Sequence, residues 1–377
     1  MFLKRLRTAG LRNLAQSLLW GSLGAMPFGP VFAEAEAPVL NFYNWADYVG
    51  ANTVSSFQRA TGIKVNYDVF DSEETLQSKL VIGKAVYDVV VPSAAYIANQ
   101  IQAGVYQKLD KRLIPNWSHL DATLMAKLAE IDPGNQYAVP WAWGTDGLGV
   151  NVTKVRELLG PQAPLDSLAL LFDPAHVARL SACGVTVLDS GGDLFRMALV
   201  YLHRDGHQPD EADLHAAFDL LKRIRPFITQ INSNSIRSDL VNGQSCLALG
   251  WSGDLSQAVQ MAQAAHRPFE LRYVIPREGS VVWFDVMAIP KGAPHPLAAH
   301  RWINHVLQAD VSADISNRIL YPTGVLPPSL LVRPEIRNNR ALYLTHAEIE
   351  RLGVPSMGSF ELTRQLNRLW TSFKANL

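Results

Sequence analysis

Residues 39–45 read VLNFYNW, and together with residues 63–67 (IKVNY) and 87–91 (YDVVV) they decide the fold. The first segment is apolar and aromatic and ends in polar residues, the second alternates, and the third is mostly apolar. Residues 52–62 carry apolar side chains at helical spacing between an asparagine cap and a closing glycine. Asp71–Glu74 has the spacing of a capping box for a second helix. This β-α-β-α-β order predicts an α/β domain with right-handed crossovers.

A second α/β pattern follows the aromatic segment 141–144 (WAWG). Strands are predicted at 147–151, 184–189, 246–250, 271–275 and 281–289, and helices at 193–202, 210–223, 298–307 and 360–374. No Gly/Ser linker or repeat separates the two patterns. A chain that crosses between two lobes must therefore do so through short segments, which favours a hinge.

Length and composition exclude several classes of protein. A chain of 377 residues predicts about two domains. Its 34 Lys+Arg balance 34 Asp+Glu, and only 18% of the residues are charged, so a disordered chain is excluded. A pI near 7.2 argues against a nucleic-acid partner. Beyond the N-terminal segment, no apolar stretch is long enough for a convincing membrane span.

The first 33 residues have the layout of a secretory signal peptide. Four basic residues and no acidic one precede the mostly apolar stretch 14–32, which runs into the small-residue ending Val31-Phe32-Ala33. We expect cleavage after Ala33, with Ala35 as the second choice; an uncleaved membrane anchor is the alternative. Removing the four basic residues from the balanced total leaves a formal charge of −4. The mature protein is predicted to be exported.

Two cysteines, Cys183 and Cys246, are present in the chain. In an oxidising compartment they allow one intramolecular disulfide, whereas two separately buried thiols are the alternative. Sequence alone does not show whether the two Cα atoms lie within bonding distance.

Enzyme motifs are mostly absent from the sequence. There is no phosphate-binding loop, no dinucleotide-binding glycine motif and no HExxH. Residues 250–253 approach a nucleophile elbow, but Asp254 occupies the position of its second glycine. His203 and His207 have helical metal-ligand spacing, but Gly206 interrupts the stretch. We therefore predict no catalytic residue, no metal and no cofactor.

Aromatic residues pair with carboxylates at the ends of predicted elements. The segments are 45–48 (WADY), 251–254 (WSGD), 283–285 (WFD) and 143–146 (WGTD). In open α/β sheets, ligands bind beyond the carboxyl ends of strands, where the first two segments fall. Carboxylates with indoles suit an organic cation with an apolar body, and several carboxylates suggest a diamine or polyamine. Paired carboxylates also serve glycoside hydrolysis, and spacing does not separate the two uses.

At these same residues the chain resembles the periplasmic polyamine-binding proteins of bacterial ABC importers, in particular the putrescine-binding branch. The likeness covers essentially the whole mature chain. Its clearest segments are 43–48 (YNWADY), 61–65 (TGIKV), 67–72 (YDVFDS), 90–94 (VVPSA), 183–185 (CGV), 249–254 (LGWSGD) and 284–286 (FDV). The resemblance implies a two-lobed periplasmic binding protein fold of type II, with a hinge and an interlobe ligand cleft. It also implies that Cys183 and Cys246 form a disulfide.

The resemblance further implies a set of ligand-binding residues and partners. Asp285 matches the carboxylate that typically receives a terminal ammonium. The full set is Trp45, Asp47, Tyr48, Ser93, Asp193, Trp251, Asp254, Trp283, Asp285 and Tyr321. The implied partners are a polyamine ligand, such as a putrescine-like diamine or spermidine, and an inner-membrane ABC permease. We expect a monomer with no nucleic-acid partner and no enzymatic activity.

Three positions depart from the putrescine-binding branch. Ala46 replaces a usual Ser, Asp193 replaces a usual Glu, and Asp146 adds a carboxylate where the branch is usually uncharged. These changes leave polyamine binding in place and bear on ligand choice. The expected lobes are 37–143 with 263–309, and 144–262 with 310–377. A secreted carboxylate-dependent hydrolase and a sensory polyamine-binding protein of the same fold remain the alternative functions.

Overall fold

The computed structural model describes residues 36–81, 86–326, 331–356 and 358–376. The described residues from Ala37 onward form one compact unit. The predicted signal peptide and both cleavage positions lie outside the described residues. No helix in the described part of the chain has the length and apolar character needed to cross a membrane.

Strands and helices alternate along most of the chain. The described strands are β1 (Val39–Trp45), β2 (Lys64–Phe70), β3 (Val89–Val90), β4 (Ala138–Asn151), β5 (Val185–Val187), β6 (Gln230–Ile231), β7 (Leu247–Trp251), β8 (Leu271–Val274) and β9 (Val282–Ala288). The α-helices are α1 (Thr53–Thr61), α2 (Glu73–Val81), α3 (Ala94–Gln102), α4 (Ala122–Leu128), α5 (Val152–Leu159), α6 (Ala169–Phe172), α7 (Pro174–Leu180), α8 (Gly191–Tyr201), α9 (Glu211–Ile224), α10 (Ile236–Asn242), α11 (Ser252–Ala264), α12 (Pro296–Val306), α13 (Ala309–Ile319), α14 (Pro334–Arg337), α15 (His346–Arg351) and α16 (Phe360–Lys374). Short 3-10 turns lie at Lys111–Leu113, Pro115–His119, Ser181–Cys183 and Arg225–Phe227.

The strands are connected through one long strand, β4. The order is β2-β1-β3-β9-β4-β7-β5-β6, and β8 pairs with β4 beside this path. Residues 138–145 of β4 pair antiparallel with β9, whereas residues 146–151 pair antiparallel with β7 and β8. We call the part built on β1, β2, β3, β9 and residues 138–145 the first lobe. The part built on β5, β6, β7, β8 and residues 146–151 is the second lobe.

The first lobe confirms the β-α-β-α-β pattern of residues 39–91. Strand β1 pairs parallel with β2 and with β3, as expected for strands joined by crossover helices. Phe42 of β1 is fully buried, with its ring centroid 5.6 Å from that of Trp141 and 4.7 Å from that of Trp302. Apolar residues of α12 and α13 complete this core.

The second lobe has its own apolar core and the predicted disulfide. Strands β5, β6 and β7 pair in parallel, and α5 to α9 with α16 contribute to the apolar cluster around them. Cys183 and Cys246 are disulfide-bonded, with their Cα atoms 5.5 Å apart. The disulfide implied by the resemblance is therefore confirmed. Gly184, which follows Cys183, has a φ of +90°, a conformation that glycine adopts most easily.

The packing differs from the expected lobe boundaries at three elements. Strand β8 was expected in the first lobe, but it pairs with residues 148–151 and Leu271 packs in a second-lobe cluster. Helices α13 and α15 were expected in the second lobe, but Ile315 and Ile349 pack in the first-lobe core. Which strands pair, and which apolar core a helix packs against, depend on segments far apart in the chain. The periodicity of neighbouring residues therefore did not reveal them. The boundaries of the lobes as moving bodies remain a prediction.

Two helix caps differ in detail from the sequence prediction. Asn52 occupies the N-cap position of α1, but its side chain makes no capping hydrogen bond; Asp314 instead accepts from the Asn52 backbone N–H at 2.8 Å. At α2 the cap is provided by Ser72 rather than Asp71, because the Ser72 hydroxyl accepts from the Thr75 N–H at 3.2 Å. Both helices form where they were predicted.

Candidate functional site

A cavity of about 290 Å³ is lined by residues of both lobes. Its lining comes from the loop after β1, the N-terminal ends of α3, α8 and α11, the strand β9, the segment after α13, and α16. All ten residues of the predicted ligand-binding set line this cavity: Trp45, Asp47, Tyr48, Ser93, Asp193, Trp251, Asp254, Trp283, Asp285 and Tyr321. The structure thus brings together residues separated by up to 276 positions in the sequence.

The loop after β1 presents an aromatic wall and a carboxylate. The Trp45 ring lies 4.5 Å from that of Phe70 at the end of β2, centroid to centroid. Asp47 has a φ of +54°, in the left-handed region that Asp tolerates better than most residues. The Asn44 side-chain amide donates to the Tyr48 carbonyl at 2.9 Å. This bond closes the loop and directs it toward the cavity.

Asp285 lies in β9 and lines the cavity. A β-bridge pairs it with Ser93, and the Val286 N–H donates to the Pro92 carbonyl at 3.0 Å. Burial raises the pKa of Asp285 to about 7; the Tyr48 hydroxyl partly lowers it, and the nearby Asp193 charge raises it further. The Tyr48 hydroxyl faces this carboxylate without reaching hydrogen-bond geometry. A cation at this position would stabilise the ionised form of Asp285.

Asp193 lies in the first turn of α8, where a negative charge is favourable to the helix dipole. Three side chains already contact it. The Ser190 hydroxyl donates at 2.8 Å and the Trp251 indole N–H at 3.1 Å, while the Arg196 guanidinium lies 3.3 Å away. The bond to Trp251 fixes the orientation of that indole, so Asp193 positions part of the aromatic wall.

Asp254 and Tyr321 join the two lobes across the cavity. The Tyr321 hydroxyl donates to the Asp254 carboxylate at 2.8 Å, and Arg237 lies 3.6 Å from the same carboxylate. Burial raises the pKa of Asp254, while Arg237 and then Tyr321 oppose the shift. Gly253 makes this contact possible, because a Cβ atom there would overlap the Tyr321 ring.

Trp283 lies on β9 between the two lobes. Its ring is edge-on to Tyr321, with the centroids 5.2 Å apart. A Cβ atom at Gly144 would lie 2.5 Å from the Trp283 ring, so the glycine leaves room for the indole. Close backbone approach to an aromatic side chain is a use of glycine that sequence pattern alone does not indicate.

The structure also adds residues that the sequence analysis did not assign to the site. Asp71, Glu73, Asp189, Arg196, Arg237, Gln257 and Trp370 are among them. The two acidic residues of segment 71–73 follow β2 at its carboxyl end, so the strand-end rule was sufficient to find them. Trp370 comes from the last helix and packs against Gly191, where a Cβ atom would lie 2.7 Å from the indole. No local signal marks that contact.

The lining of the cavity is rich in acidic and aromatic side chains. Its described lining carries seven carboxylates, from Asp47, Asp71, Glu73, Asp189, Asp193, Asp254 and Asp285, against the guanidinium groups of Arg196 and Arg237. Nine aromatic side chains share the lining, namely Trp45, Tyr48, Phe70, Tyr96, Trp251, Trp283, Phe284, Tyr321 and Trp370. Such a site can hold a cation by charge-assisted hydrogen bonds and cover an apolar chain with aromatic faces. Among the described residues, no group of three or more His, Cys, Asp and Glu is arranged to hold a metal ion.

Comparison with known proteins agrees with this architecture. Residues 52–340 match the family described as bacterial extracellular solute-binding protein. The chain is 41% identical to the putrescine-binding periplasmic protein SpuD of Pseudomonas aeruginosa, over 97% of this chain and 99% of that protein. It is 38% identical to the putrescine-binding periplasmic protein PotF of Escherichia coli, over 98% and 99% respectively.

A solved structure shows the same fold. The spermidine/putrescine ABC transporter substrate-binding protein PotD from Streptococcus pneumoniae superimposes with a TM-score of 0.74 at 26% identity, covering 90% of this chain and 99% of that chain. The two-lobed fold predicted from the sequence is confirmed. The chain belongs to the bacterial extracellular solute-binding protein family.

Proposed function

We propose that the protein is a periplasmic receptor that captures a polyamine in this cavity and delivers it to an inner-membrane ABC permease. The observation that carries the proposal is the charge imbalance of the cavity, seven carboxylates against two guanidinium groups, within nine aromatic side chains. Asp47, Asp71 and Asp189 are exposed, but Asp285 is half-buried and no cationic side chain contributes to its raised pKa, so a neutral or anionic solute would leave this carboxylate without counter-charge. SpuD, PotF and the S. pneumoniae protein, which are named as putrescine- or spermidine/putrescine-binding proteins, support the same ligand class.

The geometry suggests how a diamine or spermidine would bind. Asp285, whose pKa is raised by burial, would receive one terminal ammonium and become ionised by it. Indoles such as those of Trp251 and Trp283 would cover the methylene chain, each adding about 0.5–2 kcal/mol of attraction where a cation faces the ring. The remaining acidic side chains would receive the other ammonium group or groups.

Closure of the lobes around the ligand would present a distinct form to the permease. The Tyr321–Asp254 hydrogen bond and the bond from the Gln257 amide to the Ile319 carbonyl, at 3.0 Å, connect the lobes on one side of the cavity. Rotation about the strand β4 would open the other side. A sensory protein would use the same closed form, so a transport role rests on the permease partner.

A binding role also accounts for the raised carboxyl pKa values, which a hydrolase would share. Burial of several acids in one cavity raises the pKa of Asp285, Asp254 and Asp146 without any reaction being needed. The relatives are named as binding proteins rather than enzymes. We propose a monomeric, non-enzymatic protein without a nucleic-acid partner.

Titration calorimetry of the ligand-free mature protein tests this proposal. Putrescine, cadaverine, agmatine, spermidine and spermine are titrated in turn, and the recovered ligand is checked by mass spectrometry for chemical change. We expect at least one polyamine to bind with micromolar or tighter affinity and to be recovered intact. Asp219→Asn removes one charge from the exposed face of α9 and serves as the matched control. Absence of binding at millimolar polyamine, or turnover of a ligand, would contradict the proposal.

A further inference from the structure

Asp146 lies where β4 passes from the first lobe to the second. Thr145 pairs with Val282 of β9, and the next residue, Asp146, pairs with Trp251 of β7. Asp146 is completely buried, and neither carboxylate oxygen has a hydrogen-bond partner among the described residues. Burying a carboxylate without hydrogen bonds lowers the stability of the folded protein, so we expect either a compensating group nearby or a function for it.

The groups around Asp146 come from three elements and include one cation. Helix α8 provides Asp193 and Arg196, β8 provides Tyr273, and β9 provides Trp283. The Trp283 indole N–H faces the carboxylate without reaching hydrogen-bond geometry. The guanidinium of Arg196 pairs with Asp193 at 3.3 Å. Two carboxylates therefore face a single guanidinium at this end of the cavity.

This arrangement changes the charge of the site. With an uncharged residue at position 146, the Asp193–Arg196 pair alone would be neutral. With Asp146 ionised, the three groups carry one net negative charge behind the aromatic wall formed by Trp283 and Trp251. Burial, followed by repulsion from Asp193, raises the pKa of Asp146, and a cation at this end of the cavity would favour its ionised form.

We propose that Asp146 is a specificity-determining residue that makes the Asp193 end of the cavity require a cationic group of the ligand. The inference rests on the proposed function and extends it to the choice between ligands. An ammonium there would offset the extra negative charge, whereas a hydroxyl or methyl group would not. Asp146 lies behind the residues that line the cavity, so it acts on the ligand through the electrostatic field of its carboxylate rather than by direct contact.

The test compares two ligands of equal length in wild type and in Asp146→Asn. Putrescine carries an ammonium at both ends, and 4-aminobutan-1-ol replaces one with a hydroxyl. Asn keeps the shape and a hydrogen-bond acceptor but removes the charge. Calorimetry at pH 8 is expected to show that the preference for putrescine over the amino alcohol falls by about 10- to 100-fold in the variant. Affinity for the amino alcohol, with its ammonium at Asp285, should change less than threefold.

Controls separate this role from a structural one. Asp219→Asn should leave the preference unchanged, and thermal unfolding of ligand-free Asp146→Asn should occur at or above the wild-type temperature. If Asn fails to fold, Asp146→Ser provides the same loss of charge. An unchanged preference in a folded variant, or equal loss of both ligands, would overturn the proposal. If wild type binds none of the amines, the proposed function itself fails; if it binds putrescine and only the preference is unaltered, the Asp146 proposal alone fails.

Discussion

Replacement of Asp285 by Asn tests the binding site most directly. The carboxylate lies on β9, opposite Ser93 and facing Tyr48, in a cavity whose lining is both acidic and aromatic. Removing it leaves a ligand ammonium without its charged partner, which costs about 2–5 kcal/mol at buried charge pairs. At about 1.4 kcal/mol per factor of ten, Asp285→Asn is expected to weaken polyamine binding about 30-fold to several thousand-fold at pH 8.

The raised pKa gives this prediction a second, independent readout. With a pKa of about 7, Asp285 is largely ionised at pH 8 and largely protonated at pH 5. A protonated carboxyl must release its proton before it can pair with an ammonium, which lowers wild-type affinity by up to about 90-fold from pH 8 to pH 5. The ratio of the variant dissociation constant to the wild-type one should fall by the same factor from pH 8 to pH 5. All other titrating groups are common to both proteins, so their effects cancel in this ratio.

Calorimetry at pH 5, 6, 7 and 8 measures both effects, and buffers of different ionisation enthalpy report the proton released on binding. Asp219→Asn again controls for the change in net charge. Equal affinity of Asp285→Asn and wild type for every tested polyamine would refute the site. A ratio that stays constant with pH would refute the raised pKa while leaving the site in place.

The stability of the ligand-free protein should also respond to this substitution. An acid whose pKa is higher in the folded than in the unfolded chain binds protons more tightly when folded, so stability falls as the pH rises from about 4 to about 7. Asp285→Asn removes this loss and should raise the free energy of unfolding at pH 8 by up to about 4 kcal/mol. Part of Asp285 still borders the open cavity, so that figure is an upper limit. The difference should vanish near pH 4, as urea unfolding at the two pH values would show.

Two further substitutions examine the surrounding framework. Gly253→Ala would place a Cβ atom in the Tyr321 ring and displace that ring. We therefore expect the free energy of unfolding to fall by about 1–3 kcal/mol and polyamine binding to weaken. Calorimetry and urea unfolding curves identical to those of wild type would contradict the contact. Replacing Cys183 and Cys246 by Ser should lower the free energy of unfolding by about 4 kcal/mol, since the disulfide closes a loop with a sequence separation of 63. Intact-mass measurement after treatment with an alkylating agent should find no free thiol in unreduced wild type. Two alkylated thiols would contradict the disulfide.

Much of the candidate site was predictable because its residues lie at the ends of strands. Segments 45–48 and 251–254 follow β1 and β7, and the rule that ligands collect beyond carboxyl ends of strands applies to both. Recognition of the family added Ser93, Asp193 and Tyr321, which no spacing indicates. Trp370 was missed because its helix follows the last crossing between lobes, more than 150 residues beyond the glycine it packs against.

The sequence by itself determined most of the strands, several of the helices, the α/β class and the acidic, aromatic character of the site, because these depend on residue type and on periodicity over a few neighbours. Only the tertiary structure decided which strand partners share β4, which lobe holds β8 and α13, and that Asp146 is buried beside Asp193 and Arg196. These outcomes depend on pairing and packing between segments far apart in the chain. The charge on a buried carboxyl follows from its surroundings rather than from its neighbours in sequence, so it becomes visible only once the chain is folded.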